Sequence, residues 1–283
     1  MGTADIIPGV SGGTMALIVG IYKALIRAIG EATSVVLTLA RGRFREAWAL
    51  FRALEWGLLL PVVGGIVLAI GLASLFVPEL LERYPVQCRA LFFGLVAASL
   101  TIPWRERHAH HAAHYAVAAV GAVAAFLLVG LPRSGDAADP SLLRVGTTAA
   151  VAINAMILPG VSGAFLLLVL GMYEPTLRAL NALDVAYVGV FILGCLVGLG
   201  LFSRVLNWLL EHYHDATMAV LIGLMAGSLR ALWPWLSEDR DLLFPEMEPA
   251  SFVVFALAVL GFAIVLGLTW LGGRRLGPET QIG

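Results

Sequence analysis

The chain has 283 residues, 60% of them hydrophobic and only 13% charged, with a mean hydropathy of +0.91. Soluble domains carry roughly 25% charged residues, so the composition excludes a water-soluble globular domain and predicts a polytopic integral membrane protein. A formal net charge of −1 excludes a nucleic-acid binder that rests on bulk basicity.

In chain order, the first region, residues 1–29, is apolar yet interrupted by Pro8-Gly9 and then Ser11-Gly12. Its start lacks a basic segment and a small-residue cleavage site, so no cleavable signal peptide is expected. Residues 41–55 set apolar and basic side chains at helical spacing and predict an amphipathic helix in the membrane interface. Three apolar stretches follow, 56–77, 86–104 and 111–131, each near the roughly 20 residues a helix needs to cross a bilayer. Residues 142–180 form a second broken region, at Pro159-Gly160 and then Ser162-Gly163. The stretches 184–209, 216–233 (short) and 250–273 complete the set. Proline removes a donor and disrupts the preceding turn, and glycine permits backbone shapes that other residues resist. Such breaks at membrane depth are tolerated only inside protein or beside a polar cavity.

The two broken regions are copies of each other. ADIIPGVSGGTMALIVGIYKALIRAI (4–29) aligns with AMILPGVSGAFLLLVLGMYEPTLRAL (155–180), identical at 12 of 26 positions. Downstream, LLERY (80–84) matches LLEHY (209–213), and GLVAASL (94–100) matches GLMAGSL (223–229). The offset falls from 151 to 129, close to the size of the 42–55 insertion with its flanks. The chain therefore reads as an internal duplication, 1–131 and 142–273, within one membrane domain. Each half holds a broken pair of segments and three spans.

If each broken pair enters and leaves on one side, the halves are inverted; if it passes through, they are parallel. With re-entrant pairs and a cytoplasmic N-terminus, the inner side collects 11 of the 18 basic residues against 8 acidic ones. The positive-inside rule therefore favours an all-α fold of two inverted repeats. Each is a re-entrant helical hairpin plus three transmembrane helices, and both termini are cytoplasmic.

A helix starting at membrane depth offers free N–H groups and the positive end of its dipole. Ser11 and Ser162 stand where N-caps would be, and Gly12, Gly13 and Gly163 would let a ligand approach the backbone. Thr14 adds a hydroxyl that the second copy replaces with Phe165, and Asn154 is polar just before the second break. Two helix starts facing each other would make an anion site at the midplane; alternatively, each PGVSG is only a tight turn. Intramembrane charges are costly and usually functional. Among them Asp5 and Arg230 are the candidates for function, Asp5 as a proton or cation site or as a salt-bridge partner. Arg27, Arg89, Arg178 and Arg204 lie near span ends and read as snorkelling to the interface. Glu82 and Glu211 recur in both copies as caps or interfacial anchors, with a coupling role as the other reading.

His110 and His114 have a chelating i,i+4 spacing, but no neighbouring motif completes a metal site, and the cluster reads as a polar flank. Cys88 and Cys195 give no disulfide framework and no thiolate metal site. No hydrolase, nucleotide or metalloprotease motif recommends an enzyme, and no cofactor is implied.

IIPGVSGGT with GIY, ILPGVSG with GMY, and GSLRALWPW (227–235) resemble the PopT-type polyprenyl-phosphate transporters, a bacterial family formerly catalogued as a domain of unknown function. The likeness runs through nearly the whole chain. It implies a multi-pass plasma-membrane carrier returning undecaprenyl phosphate from the outer to the inner leaflet, for reuse in peptidoglycan synthesis. The chemistry fits: a phosphate carries about −1.5 to −2 charges and needs helix starts, hydroxyls and an arginine, while its tail stays in the bilayer. A coupling proton or sodium ion would be a further partner. The residues also admit an ion-coupled carrier of a small soluble anion, which would be sealed laterally. An intramembrane phosphatase would need a nucleophile or metal cluster that the sequence lacks.

Overall fold

The computed structural model describes residues 2, 11–108, 111–131, 140–237, 240–245 and 248–275. The described chain is helical apart from loops and one isolated antiparallel bridge, Leu236–Leu242. Asp5, Pro8 and Gly9 lie outside the described residues, as does the side chain of Glu82. His110 lies outside them as well.

The first half runs through α1 (Gly12–Val19), α2 (Tyr22–Ala40), α3 (Phe44–Ala53), α4 (Trp56–Arg83), α5 (Pro85–Ser99), α6 (Thr101–Arg105) and α7 (Ala112–Val129). The second runs through α8 (Leu142–Ile157), α9 (Gly163–Val169), α10 (Tyr173–Asn181), α11 (Val185–His212), α12 (His214–Ser228), a 3₁₀ turn (Leu229–Leu232) and α13 (Pro249–Arg275). Among the described residues, five helices are long and apolar enough to cross a membrane: Pro85–Arg105, Ala112–Val129, Val185–His212, His214–Leu232 and Ser251–Trp270. Counting the bent pairs Phe44–Ala53 with Trp56–Ala69 (81°) and Gly163–Val169 with Tyr173–Asn181 (106°) as single spans gives up to seven.

Matched sequence gives matched local structure. α1 ends at Gly20 and α9 is followed by Gly171, at φ +80° and +66°; this left-handed position is where a helix end selects glycine. α4 and α11 both run for 28 residues and stop at Tyr84 and Tyr213 with similar backbone angles. α5 and α12 are both 15 residues long. The halves diverge where the insertion falls. α2 continues to Ala40, well past the boundary read at Ile29, because Thr33, Ser34 and Thr38 donate their hydroxyls back to Ile29, Gly30 and Ser34 carbonyls. Polar side chains satisfied in this way no longer oppose the helix. α3 then forms the amphipathic segment, with Phe44 and Trp48 exposed.

Glycine sets the helix pairs. A Cβ on Gly94 of α5 would strike the Ala258 carbonyl of α13, and one on Gly223, its counterpart in α12, would strike Ala118 of α7. Backbone approach of this kind is what small residues permit between membrane helices. Each duplicated helix thus packs on the last helix of the other half. Gly194 and Gly198 hold α11 against Gly146 and Ala150 of α8 in the same manner.

Polar contacts define two ends. At one, Lys23 pairs with Glu106 at 2.8 Å, and the N–H of His108 donates to Asp215 at 2.9 Å. At the other, Arg89 donates to the Leu236 carbonyl, Arg230 to Phe126 and Arg240 to Val129.

Candidate functional site

Ser11 and Thr14, beside the first break, reach residues 156–160 at the second. Ser11 is buried and caps α1 by accepting from the Gly13 N–H at 3.1 Å. Its hydroxyl also lies 3.1 and 3.2 Å from the Met156 and Leu158 carbonyls, which it can donate to just before the second break. Thr14, fully buried, accepts from the N–H of Gly160 at 3.0 Å. Ser162 caps α9 by accepting from the Phe165 N–H at 3.3 Å. Both serines are therefore N-caps, and the hydroxyls of Ser11 and Thr14 tie the first loop to the second.

The arms around the second break run antiparallel. Arg144 near the start of α8 donates to the Leu170 carbonyl after α9, 3.0 Å away, so the chain doubles back at Pro159. At 16 and 7 residues, neither arm reaches the roughly 20 residues of a span. Val169 shares a buried cluster with Val129 at the Arg230 end, whereas α1 leads into Lys23, which pairs with Glu106 at the other end. The two short helices thus leave the junction toward opposite ends.

The glycines have a reason that their sequence did not disclose. A Cβ on Gly13 would strike the Ile157 carbonyl, one on Gly163 the Ala152 carbonyl, and one on Gly160 the Met225 Cα at 2.7 Å. Protein backbone, rather than a ligand, occupies the space beside them. Gly12 and Gly13 also line a cavity of about 240 Å³ with Tyr22, Leu59, Val62, Met156 and Ile157.

Two polar groups near the junction lack partners among the described residues: the hydroxyl of Tyr22, which is 2% exposed, and Oδ1 of Asn154. An unpaired buried polar group costs about 1–3 kcal/mol. Tyr22 was visible in the sequence only as a repeated residue.

The 240 Å³ cavity leads on. It shares Ile29 and Leu59 with an apolar groove of about 450 Å³ between α2, α4 and α11. Val36, Val197 and Leu201 line this groove and are exposed on the outer surface of the bundle. Arg204 belongs both to the groove and to a polar recess of about 280 Å³ with Arg27, Ser34, Asn207 and Glu211. There Arg204 donates to Ser34 at 3.1 Å and Asn207 to the Ile26 carbonyl at 3.2 Å. Arg27 and Arg204, read from sequence as snorkelling, face this recess.

Arg230 lies apart from the junction. Its guanidinium sits 4.5 Å over the ring of Phe126 and donates to the Phe126 and Arg240 carbonyls. Arg240 in turn stacks 4.3 Å over Phe165 of α9. Nothing in the pattern around Arg240, set between Asp239 and Asp241, marks it out from sequence.

A family model described as undecaprenyl phosphate translocase-like matches residues 1–248. The chain is 36% identical to the polyprenyl-phosphate transporter of Vibrio cholerae serotype O1 over 289 aligned residues, covering 95% of this chain and 92% of that protein. It is 30% identical to the polyprenyl-phosphate transporter of Staphylococcus aureus over 286, with the same coverage. No solved structure gives a significant match. Paired PGVSG breaks, matched halves and a family match over most of the length agree: the chain belongs to the undecaprenyl phosphate translocase-like family.

Proposed function

We propose that this protein carries a polyprenyl phosphate, with undecaprenyl phosphate as the representative substrate, from the outer to the inner leaflet of the bacterial plasma membrane. The observation that carries the reading is the run of adjoining cavities from Gly12 and Tyr22, past Ile29 and Leu59, to Arg204. An apolar groove open to the side of the bundle suits a lipid tail, and it ends in a recess where Arg27 and Arg204 stand with Glu31 and Glu211, so that an anionic head there would compete with two carboxylates for the arginines. A soluble anion gains nothing from exposed apolar walls, so the groove favours a lipid over the small-anion reading.

In this mechanism two inverted repeats bring their re-entrant tips together near the bilayer midplane, and the path opens alternately to the two faces. Tip-to-tip hydrogen bonds and the opposite departure of α1 and α9 support it. The head group enters past Arg230 and Arg240, meets the tips at Ser11, Gly12, Thr14, Asn154 and Ser162, which the close backbone contacts of Gly13 and Gly163 hold together, and leaves at Arg27 and Arg204. The tail stays in the bilayer and slides through the lateral opening. Pro8, Gly9, Pro159 and Gly160 shape the breaks. Asp5, Glu82 and Glu211 are the carboxylates available to a coupling proton or sodium ion. No bond is made or broken in this cycle.

The test is reconstitution in vesicles with a labelled polyprenyl phosphate, scored by how much remains open to an external phosphatase. Wild-type protein should shift the lipid between leaflets, and Arg204→Ala should slow it. Transport of inorganic phosphate in place of the lipid would overturn the reading.

A further inference from the structure

Away from the lipid path, folding assembles two histidines and a carboxylate from the two halves of the chain. His108 follows α6, whereas His214 and Asp215 open α12. One ligand atom from each lies within 4.8 Å of the others. Nδ1 of His108 is 3.4 Å and Nδ1 of His214 3.3 Å from Oδ1 of Asp215, and the two rings lie 5.1 Å apart. The backbone N–H of His108 also donates to that oxygen at 2.9 Å, which anchors the carboxylate. The sequence could not show this grouping, because the ligands that complete it lie more than 100 positions downstream of His108.

Tetrahedral zinc binds imidazole nitrogen at about 2.0–2.1 Å and carboxylate oxygen at about 2.0–2.2 Å, which sets neighbouring ligand atoms roughly 3.3–3.5 Å apart. Two of the three edges, the Nδ1-to-Oδ1 separations, match that distance, and the two imidazole ligand atoms lie within 4.8 Å of each other. His214 is mostly buried and presents Nδ1 to the cluster. The side chain of His108 is 81% exposed, and with Glu211 and His212 it borders a recess of about 380 Å³ that admits ion and water.

We propose that His108, His214 and Asp215 form a binding site for a divalent transition-metal ion of the zinc class, with solvent completing four-coordination. Two neutral imidazoles and one carboxylate suit zinc and its neighbours, whereas magnesium and calcium take oxygen ligands. A bound ion ties the link after α6 to the α11–α12 turn, joining the two halves at the end that also holds the Lys23–Glu106 pair.

The experiment uses full-length protein in detergent, without a polyhistidine tag, stripped by a chelator and titrated with Zn²⁺ and separately with Co²⁺. One ion should bind per chain, and cobalt should give the intense visible bands of a four-coordinate site. His214→Gln and Asp215→Asn should each weaken zinc binding at least tenfold, since loss of an outer-shell partner alone costs roughly 10–100-fold. His212→Gln borders the same recess, but its Nδ1 lies against the Trp208 carbonyl; it should leave binding unchanged. The cobalt spectrum of unmodified protein keeps the test independent of how the variants fold. Absence of stoichiometric binding, a six-coordinate cobalt spectrum, or equal loss in His212→Gln would overturn the proposal.

Discussion

The hydroxyl oxygen of Thr14 accepts a hydrogen bond from the backbone N–H of Gly160, 3.0 Å away and 146 residues along the chain. One half of the duplication thereby completes the break in the other. The second copy has no such hydroxyl, because Phe165 stands at the matching place and stacks under Arg240 instead. The two serine caps are thus alike in their backbone, while the residues that follow them present different chemistry.

Thr14→Val keeps the shape of the side chain and removes the acceptor, leaving the Gly160 N–H buried and unpaired. That costs about 1–3 kcal/mol. Ser11→Ala removes both a cap and a contact to the second loop; the cap alone is worth about 0.5–2 kcal/mol. Thermal unfolding in detergent should show a lower Tm for each. An unchanged Tm in both would mean that the tips do not hold one another.

Gly13→Ala and Gly163→Ala should lower stability and transport together, because each Cβ meets backbone that cannot step aside. Overpacking costs typically 1–3 kcal/mol. Gly94→Ala and Gly223→Ala should behave alike, as both press on the backbone of a partner helix. Gly65→Ala in α4 is the control, since its Cβ would meet nothing within 4 Å among the described residues. Expression level and Tm across the five variants would rank them.

Arg204→Ala should weaken binding of a polyprenyl phosphate tenfold to a hundredfold, the effect of losing a charged hydrogen bond worth about 1.5–3 kcal/mol. Arg204→Lys should recover part of it, as the charge returns without the guanidinium fork. Binding of the dephosphorylated polyprenol should be indifferent to both changes. Equal weakening for alcohol and phosphate would place Arg204 in packing rather than in head-group recognition.

Topology has a direct readout. In a background of Cys88→Ser and Cys195→Ser, Phe244→Cys should react with a membrane-impermeant thiol reagent only from outside, and Arg105→Cys only from the cytoplasm. The side chain of Phe244 is 92% exposed, so labelling there reports sidedness rather than burial. Reaction of both from the same side would contradict the inverted arrangement.

What the sequence disclosed follows from local physics. Apolar length located α7, α11 and α13, and the Ser-Gly steps located both N-caps, because a cap needs only its own next turn. The extension of α2 to Ala40 was hidden by polar residues that fold their hydroxyls back on the helix. The packing role of Gly13 and Gly163 depends on carbonyls of another segment, and no spacing within the motif encodes that. The recess at Arg27 and Arg204 arises from α2 crossing α11, so single spans suggested only two interfacial arginines. Long-range assembly likewise put His108 beside Asp215.

The proposed function requires a lipid phosphate in the groove between α2, α4 and α11. A polyprenyl phosphate with a photoreactive group in its first isoprene units, cross-linked in membranes and mapped by mass spectrometry, tests it directly. Labelling should concentrate on the segments around Ile29, Leu59 and Leu199, fall when unlabelled polyprenyl phosphate competes, and fall again in Arg204→Ala. Labelling spread evenly over the lipid-facing surfaces of α7 and α13, indifferent to competitor and to Arg204, would contradict it.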